Sequence, residues 1–422
     1  MKIHPDRYFN VDFFKHTSMN LRFFYFSLLL IIPGYVSGQT PTTWRGPGQS
    51  GIYADKDLSD SWPASGPEIL WTFDGLGEGY SSPAFAHGKI YLSGMEGSTG
   101  YIYCLTPEGK LQWKAPYGSE FDSSYPGSRA TPVIDGNLVF MLSGMGDLSC
   151  LDAGNGRAVW RKNVFREFGG RNIQWGINET VVIHGDRLIC TPGGPAHNIV
   201  ALNKTTGELI WSSKGKGELS AYCTPLIAKV GTRNLLVTHT ANSILGIDAD
   251  SGALLWSHPH PNRWSVHPNT PLFFNNQVYC FSGYGKGGVM FQLNADGSRA
   301  TKMWDTTDMD SRMGGAVVMN GKIYGSGDSS RDWFCIDWNS GRVEYKTRDV
   351  GNGVIIAADG KLFWYSQRGE LALVKPGASS FEITGNTRVT QGSGQHWAHP
   401  AIDRGKLYVR HGNALIVYKI GT

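Results

Sequence analysis

One pattern constrains this chain more than any other: a strand, a polar turn closing on glycine, and a second strand ending in an aromatic residue. It reads CLDAGNGRAVW at 150–160, ALNKTTGELIW at 201–211, GIDADSGALLW at 246–256 and CIDWNSGRVEY at 335–345, with a shorter CLTPEGKLQW at 104–113. The Asp or Asn bonds its own backbone in such a turn, and the glycine supplies a positive φ. A second recurrence precedes these, as in SSPAFAHGKIYLSG (81–94), ATPVIDGNLVFMLSG (130–144) and NTPLFFNNQVYCFSG (269–283). Alternating apolar residues around a Gly or Asn turn again give a hairpin. One unit is therefore four antiparallel strands. The closing aromatics Trp71, Trp113, Trp160, Trp211, Trp256, Trp304 and Tyr345 recur about every 46 residues, the length of a propeller blade.

First strands near Pro83, Pro132, Thr180, Pro225, Pro271, Ala316, Ile355 and Pro400 make eight units. The last has room for three strands only, and Ile69–Phe73 is a closing strand with no partners before it. The expected fold is all-β: an eight-bladed β-propeller of four-stranded antiparallel blades. Ile69–Phe73 should pair with Ala414–Tyr418, closing the ring and leaving no sheet edge open. The repeated Trp residues, such as Trp160, Trp211 and Trp256, should be structural and buried between blades.

The expected organisation is a signal peptide at 1–38, a lead-in at 39–68 and the propeller at 69–422. An apolar run from Phe23 to Ile32 follows Lys15 and Arg22 and is too short to span a bilayer. Small residues up to Gly38 then mark a cleavage point. Met19 offers an alternative start. The mature chain should be exported, periplasmic or extracellular, without an integral membrane segment. No Cys near the cut suggests a lipid anchor. Lys and Arg total 39 against 35 Asp and Glu, so the concentrated basic face of a nucleic-acid binder is not expected. Among six Cys, Cys104, Cys150 and Cys335 share one repeat position, and Cys190 and Cys280 another. Equivalent positions in different blades lie too far apart to bridge, so buried free thiols are expected, with the pairing of Cys223 open.

The turn-plus-aromatic signature resembles the pyrroloquinoline-quinone-type repeat of the eight-bladed family of quinoprotein alcohol dehydrogenases and the outer-membrane assembly lipoprotein. It extends over Ile69–Ile420. Trp44-Arg45-Gly46-Pro47, with Trp62-Pro63 and Leu70-Trp71, resembles the N-terminal segment of exported bacterial propellers of this class. The resemblance implies the fold. By resemblance alone it also implies either pyrroloquinoline quinone with calcium in a dehydrogenase, or a scaffold role in envelope assembly. Those dehydrogenases carry adjacent cysteines and a calcium set of Glu, Asn and Asp. No Cys-Cys pair occurs in this sequence.

Local motifs add little. Gly283–Gly288 matches GxGxxG, but a strand follows instead of the helix a dinucleotide needs. Asp248–Gly252 opens like a calcium loop, yet Pro259 stands where the bidentate Glu belongs. His258 with His260, and His396 with His399, lack a carboxylate at metal spacing, so no metal is assigned. Geometry says more. The loop entering each innermost strand opens at one mouth of the central channel, so residues three or four before the aligned Pro or its equivalent, with their neighbours, should converge there. Those expected to bind ligand are Tyr80, Arg129, Trp175, Asn178, Arg312, Asn352 and Trp397. Tyr222, His267 and His396 are the catalytic candidates, with Glu179 and His399 just behind. Aromatics offer flat faces to sugars or quinones, Arg a planar fork to carboxylate or phosphate, and His and Tyr a proton relay. The alternative is that the same side chains simply plug the channel.

Three functions follow. The mouth binds a small polar ligand, carbohydrate or anionic, with a lyase-like enzyme as its catalytic form. The chain is a quinone-dependent alcohol or sugar dehydrogenase. Or it is a scaffold with protein partners in the envelope.

Overall fold

The computed structural model describes residues 41–422, so the signal-peptide expectation for 1–38 lies outside the described residues. Eight four-stranded antiparallel sheets form the ring of a β-propeller. Their innermost strands are Ala84–Ala86, Val133–Asp135, Val182–His184, Leu226–Val230, Leu272–Phe274, Val317–Met319, Gly353–Ala358 and Ala401–Asp403, which define blades 1 to 8. The outermost strand of blade 8 is Ile69–Phe73, paired antiparallel to Ala414–Lys419 with Ile69 opposite Tyr418 and Phe73 opposite Leu415. Ring closure therefore joins the two ends of the propeller as its sequence predicts.

The repeat has a mechanical meaning. The aromatic residue on the outermost strand of one blade reaches the polar turn of the next. Trp160 Nε1 donates to Lys204 O of blade 3 (3.0 Å), Trp211 Nε1 to Ala249 O of blade 4 (3.1 Å) and Trp256 Nε1 to Gly297 O of blade 5 (3.2 Å). Trp304 reaches Trp338 O of blade 6, and Trp71 closes the ring onto Pro107 O of blade 1, both at 3.2 Å. At four of these five junctions the indole also lies against the turn glycine, Gly297 instead facing Val230 and Leu235. A Cβ on Gly252 (φ 77°) would stand 2.5 Å from Trp211, and one on Gly341 2.5 Å from Trp304. Glycine is thus required twice, by its backbone conformation and by the neighbouring blade's ring. Trp113 departs from the scheme. Tyr91 Oη donates to the equivalent carbonyl, Ala153 O (3.1 Å), and the Trp113 N–H is left without a partner. Trp211 is 8% exposed, whereas Trp160 and Trp256 are only half-buried, because the outermost strands keep one face in solvent.

A second seam lies at the axis. Ser82 N–H donates to Thr131 Oγ1 (3.0 Å), Thr131 N–H to Thr180 Oγ1 (3.1 Å) and Thr180 N–H to Thr224 Oγ1 (3.2 Å), each step passing to the next blade. Between these seams, apolar side chains of neighbouring blades share one core: Phe140 and Leu142 of blade 2 pack with Leu188 and Val200 of blade 3. All six cysteines, Cys223 included, are buried and free. Burial pushes the Cys104 thiol up to about 11 and those of Cys150 and Cys223 up to about 12, so they act as small apolar residues.

The lead-in is more than a connection. Thr42 N–H donates to Ile134 O of blade 2 (2.9 Å). The turn Pro47–Gln49 lies against the innermost strand of blade 4. Ile52–Tyr53 then adds a fifth, parallel strand inside blade 7, opposite Ala357 and Ala358. The segment therefore crosses the central channel and plugs it. It leaves past Leu58, whose N–H meets Asp359 Oδ2 (3.1 Å), and Trp62, whose N–H meets Thr384 O (3.1 Å).

The inter-blade contact is testable. Trp211→Ala should destabilise by roughly 3–5 kcal/mol through the cavity it leaves, and Gly252→Ala should also destabilise, by collision and backbone strain. The double variant should lose less than the sum, since the added methyl enters the space the ring vacates. Denaturant unfolding of the four proteins checks this; strict additivity would contradict it.

Candidate functional site at the channel mouth

Loops entering the innermost strands do converge. With the hairpin loops on the same face, they enclose a cavity of about 790 Å³. Seven expected residues line it: Tyr80, Arg129, Trp175, Asn178, Tyr222, Arg312 and Trp397, with His399 deeper. Trp44, arriving from the plug, closes it from within the channel. Also lining it, and missed from the sequence, are Tyr125, Arg263, Trp264, Tyr284, Asp328 and Gln367.

Two aromatic clusters form its walls. Trp397 lies 5.1 Å from Tyr80 and 5.0 Å from Tyr125, ring centre to ring centre. Trp175 meets Trp264 edge to face at 5.6 Å, and the Arg263 guanidinium lies 5.0 Å over the Trp264 ring. Three of the tyrosines hold left-handed backbone conformations: Tyr125 (φ 46°), Tyr222 (φ 74°) and Tyr284 (φ 63°). Bulky residues occupy that region at a cost of order 1–3 kcal/mol each.

Arg129 is held by its surroundings. It donates to Trp175 O, to Tyr222 Oη (3.2 Å) and to Ser124 O and Tyr125 O (both 3.1 Å), and thereby shapes the wall. Tyr222 donates its hydroxyl to Trp175 O (3.1 Å). Burial pushes it up to about 12, against the opposing pull of Arg129. Its proton is committed to structure. Arg312, with 42% of its side chain exposed, pairs with Asp328 (Nε to Oδ1, 3.0 Å). That same oxygen accepts from Asn352 Nδ2 (3.2 Å) and Gln367 Nε2 (3.3 Å). Asn352 thus acts from behind Asp328 and does not line the cavity.

Two histidines expected here are elsewhere, because an offset from the strand fixes the loop but not the direction of the side chain. His267 is fully buried between blades 4 and 5, bonded to Ser282 Oγ (2.9 Å) and Ala241 O (3.2 Å) and stacked on His239 at 4.9 Å. His396 bonds Tyr365 Oη (2.6 Å) and stacks on His411 at 3.7 Å. Burial lowers both to about 4. Glu179 is buried behind the wall; its Oε2 accepts from Thr191 N–H (3.0 Å), its Oε1 has no partner, and burial raises it to about 8.

The cavity is electropositive. Three guanidiniums line it against one carboxylate, Asp328, itself spent on Arg312. Two further arginines, Arg45 and Arg410, are buried nearby with no carboxylate partner, and burial lowers each to about 10. Arg410 Nη2 has no acceptor at all. This donor set does not fit a calcium-bound quinone. Calcium takes six to eight oxygen ligands, with carboxylates prominent, and among the described residues no group of three His, Cys, Asp or Glu is placed to hold a metal ion.

Glu179 gives a pH signature. Its folded value lies above the ordinary 4.5, so the stability it contributes as a neutral acid is complete below about 4.5 and is lost as pH rises through about 8. Glu179→Gln keeps the neutral form. The variant's melting temperature should gain on the wild type between pH 5 and pH 8 in paired thermal scans; a pH-independent difference would contradict the assignment.

Comparison with known proteins agrees with this architecture. The chain is 25% identical over 170 residues to quinoprotein ethanol dehydrogenase of Pseudomonas aeruginosa, covering 37% of this chain and 26% of that protein. It is 22% identical over 287 residues to outer membrane protein assembly factor BamB of Shewanella oneidensis, covering 67% and 66%. It therefore spans about a quarter of the first relative and just under two thirds of the second. Among solved structures, quinohemoprotein alcohol dehydrogenase from Comamonas testosteroni superposes with a TM-score of 0.62 at 11% identity, over 89% of this chain and 79% of that one, a likeness of fold. No helix among the described residues is long and apolar enough to cross a membrane. A family profile for outer membrane protein assembly factor BamB matches residues 98–347, more than half of the chain, and the protein belongs to that family of quinoprotein-like β-propellers.

Proposed function

We propose that this is an exported binding protein whose channel mouth takes a polar, anionic ligand of saccharide type. The observation that carries the reading is the lining itself: two aromatic walls and three arginines facing a single, already paired carboxylate. Aromatic faces suit the flat apolar sides of sugar rings, and guanidinium forks suit carboxylate or sulfate. Binding is favoured over lyase-like catalysis because the candidate proton carriers are engaged: His267 and His396 stand off the cavity, and the Tyr222 hydroxyl is committed to Trp175. A dehydrogenase reading is weakened by the missing calcium donors. Membership of the BamB family supports a second reading, a protein-binding role in outer-membrane assembly.

Calorimetry with trigalacturonate, maltotriose and pyrroloquinoline quinone, each with and without calcium, separates these readings. The acidic sugar should bind. Arg312→Ala should weaken it roughly ten- to a hundred-fold, the worth of a charge-assisted bond, with little change in melting temperature. Arg129→Ala should lower both affinity and melting temperature, because Arg129 also holds the wall. Calcium-dependent quinone binding would overturn the proposal, and crosslinking in cells to outer-membrane assembly proteins with no saccharide binding would favour the second reading.

A further inference from the structure

We infer that the N-terminal plug is part of the ligand site: residues 42–53 form its base, Trp44 is the ring presented to the ligand, and Arg45 is the residue that positions it. The inference rests on the mouth being the ligand site.

Trp44 lines the cavity, although it precedes the first blade by some forty residues of sequence. Its ring stands edge-on to His399 at 5.0 Å, and the Arg45 guanidinium carbon lies 5.7 Å from the ring centre. Arg45 is fully buried and spends its donors on three blades and on the plug's own turn. It reaches Ala316 O of blade 6, Ile355 O of blade 7 (3.2 Å) and His399 Nδ1 beside blade 8 (3.0 Å), together with Gln49 O and Ser50 O (both 3.4 Å). Because His399 Nδ1 accepts, its Nε2–H donates to Met313 O (3.2 Å), which fixes a neutral imidazole in one tautomer.

Space is cleared for this guanidinium. A Cβ on Gly315 would stand 2.0 Å from Nη1, and one on Gly51 2.3 Å from Nη2. Only a planar fork reaches so many acceptors at once; a lysine ammonium does not. A segment whose task was merely to fill the channel would use apolar bulk. This one buries an uncompensated positive charge directly beneath an aromatic ring that faces the cavity, an expensive choice that becomes intelligible if an anion binds above it.

The test uses the full chain labelled with fluorotryptophan and observed by fluorine NMR. The resonance lost in Trp44→Phe is that of Trp44. A soluble gadolinium chelate should broaden it, an anionic chelate more than a neutral one. Arg45→Lys should shift it while leaving the resonances of Trp160 and Trp211 in place. If Arg45→Lys fails to fold, His399→Asn, which removes one acceptor, should shift the same resonance. In parallel, Trp44→Ala should weaken trigalacturonate binding by about tenfold or more, as removal of a buried aromatic anchor does. A Trp44 resonance indifferent to both chelates and unmoved by the Arg45 and His399 variants overturns the inference even if saccharide binds. Saccharide binding unaffected by Trp44→Ala overturns it too. If no saccharide binds but the resonance responds as described, the ligand reading falls and the plug remains the base of the mouth.

Discussion

An indole resting on a glycine of the next blade is the contact on which the ring depends. Each blade by itself is a twisted four-stranded sheet with two apolar faces and no reason to stop at any number of neighbours. The Trp N–H to turn-carbonyl bond sets how far one blade is displaced from the next. Where the ring presses on a glycine that can hold no side chain, as Trp160 on Gly207 and Trp211 on Gly252, it sets how closely they approach. From blade 1 to blade 4 the threonine seam repeats the same displacement at the axis. The ring closes where the N-terminal strand completes the last blade with the same Trp contact, Trp71 to Pro107.

Closure leaves a channel, and this chain fills it with itself. Strand addition of Ile52–Tyr53 inside blade 7 satisfies backbone groups there, and the Arg45 guanidinium binds blades 6, 7 and 8 to the plug. The consequence is a mouth with a base instead of a passage. Charge follows from the same arrangement: Arg45 and Arg410, buried without carboxylates, add to the arginines of the wall. In a site partly removed from water such charges act at longer range than on an open surface.

The fold was legible because its defining contact is periodic. The turn glycine and the aromatic four residues on, as Gly207 and Trp211 or Gly252 and Trp256, announce themselves by recurring at one spacing. The site was legible only where it shares that period. Tyr80, Arg129, Tyr222 and Trp397 stand three residues before the aligned position, with Arg312, Trp175 and Asn178 close to it, and all reach the cavity. His267 and His396 stand one residue further back, four before the aligned Pro, and their side chains turn away from the cavity, His267 into the core against Ser282 and His396 onto Tyr365. Tyr284, Asp328 and Gln367 were missed because they sit on hairpin loops within blades, on the same face. The signal was available: Tyr284 lies inside the glycine-rich run Gly283–Gly288, which a strand follows, and topology puts that hairpin beside the entering loops. Trp44 stood out only as part of the Trp44–Pro47 motif, and its place at the mouth was not legible, since the neighbouring two-residue strand Ile52–Tyr53 pairs more than three hundred residues away and leaves no period to read.

The plugged, positively charged mouth is the central claim, and hydrogen exchange on the intact protein tests it most directly. The amides of Thr42, Gly51 and Ala357 are bonded to Ile134, Arg45 and Gly51 carbonyls. If the segment is built into the channel, the peptide covering residues 42–53 exchanges on the timescale of the blade strands, together with the innermost strand of blade 7. Exchange of that peptide within seconds, as for a free tail, while the blades stay protected, would show an open channel and contradict the account.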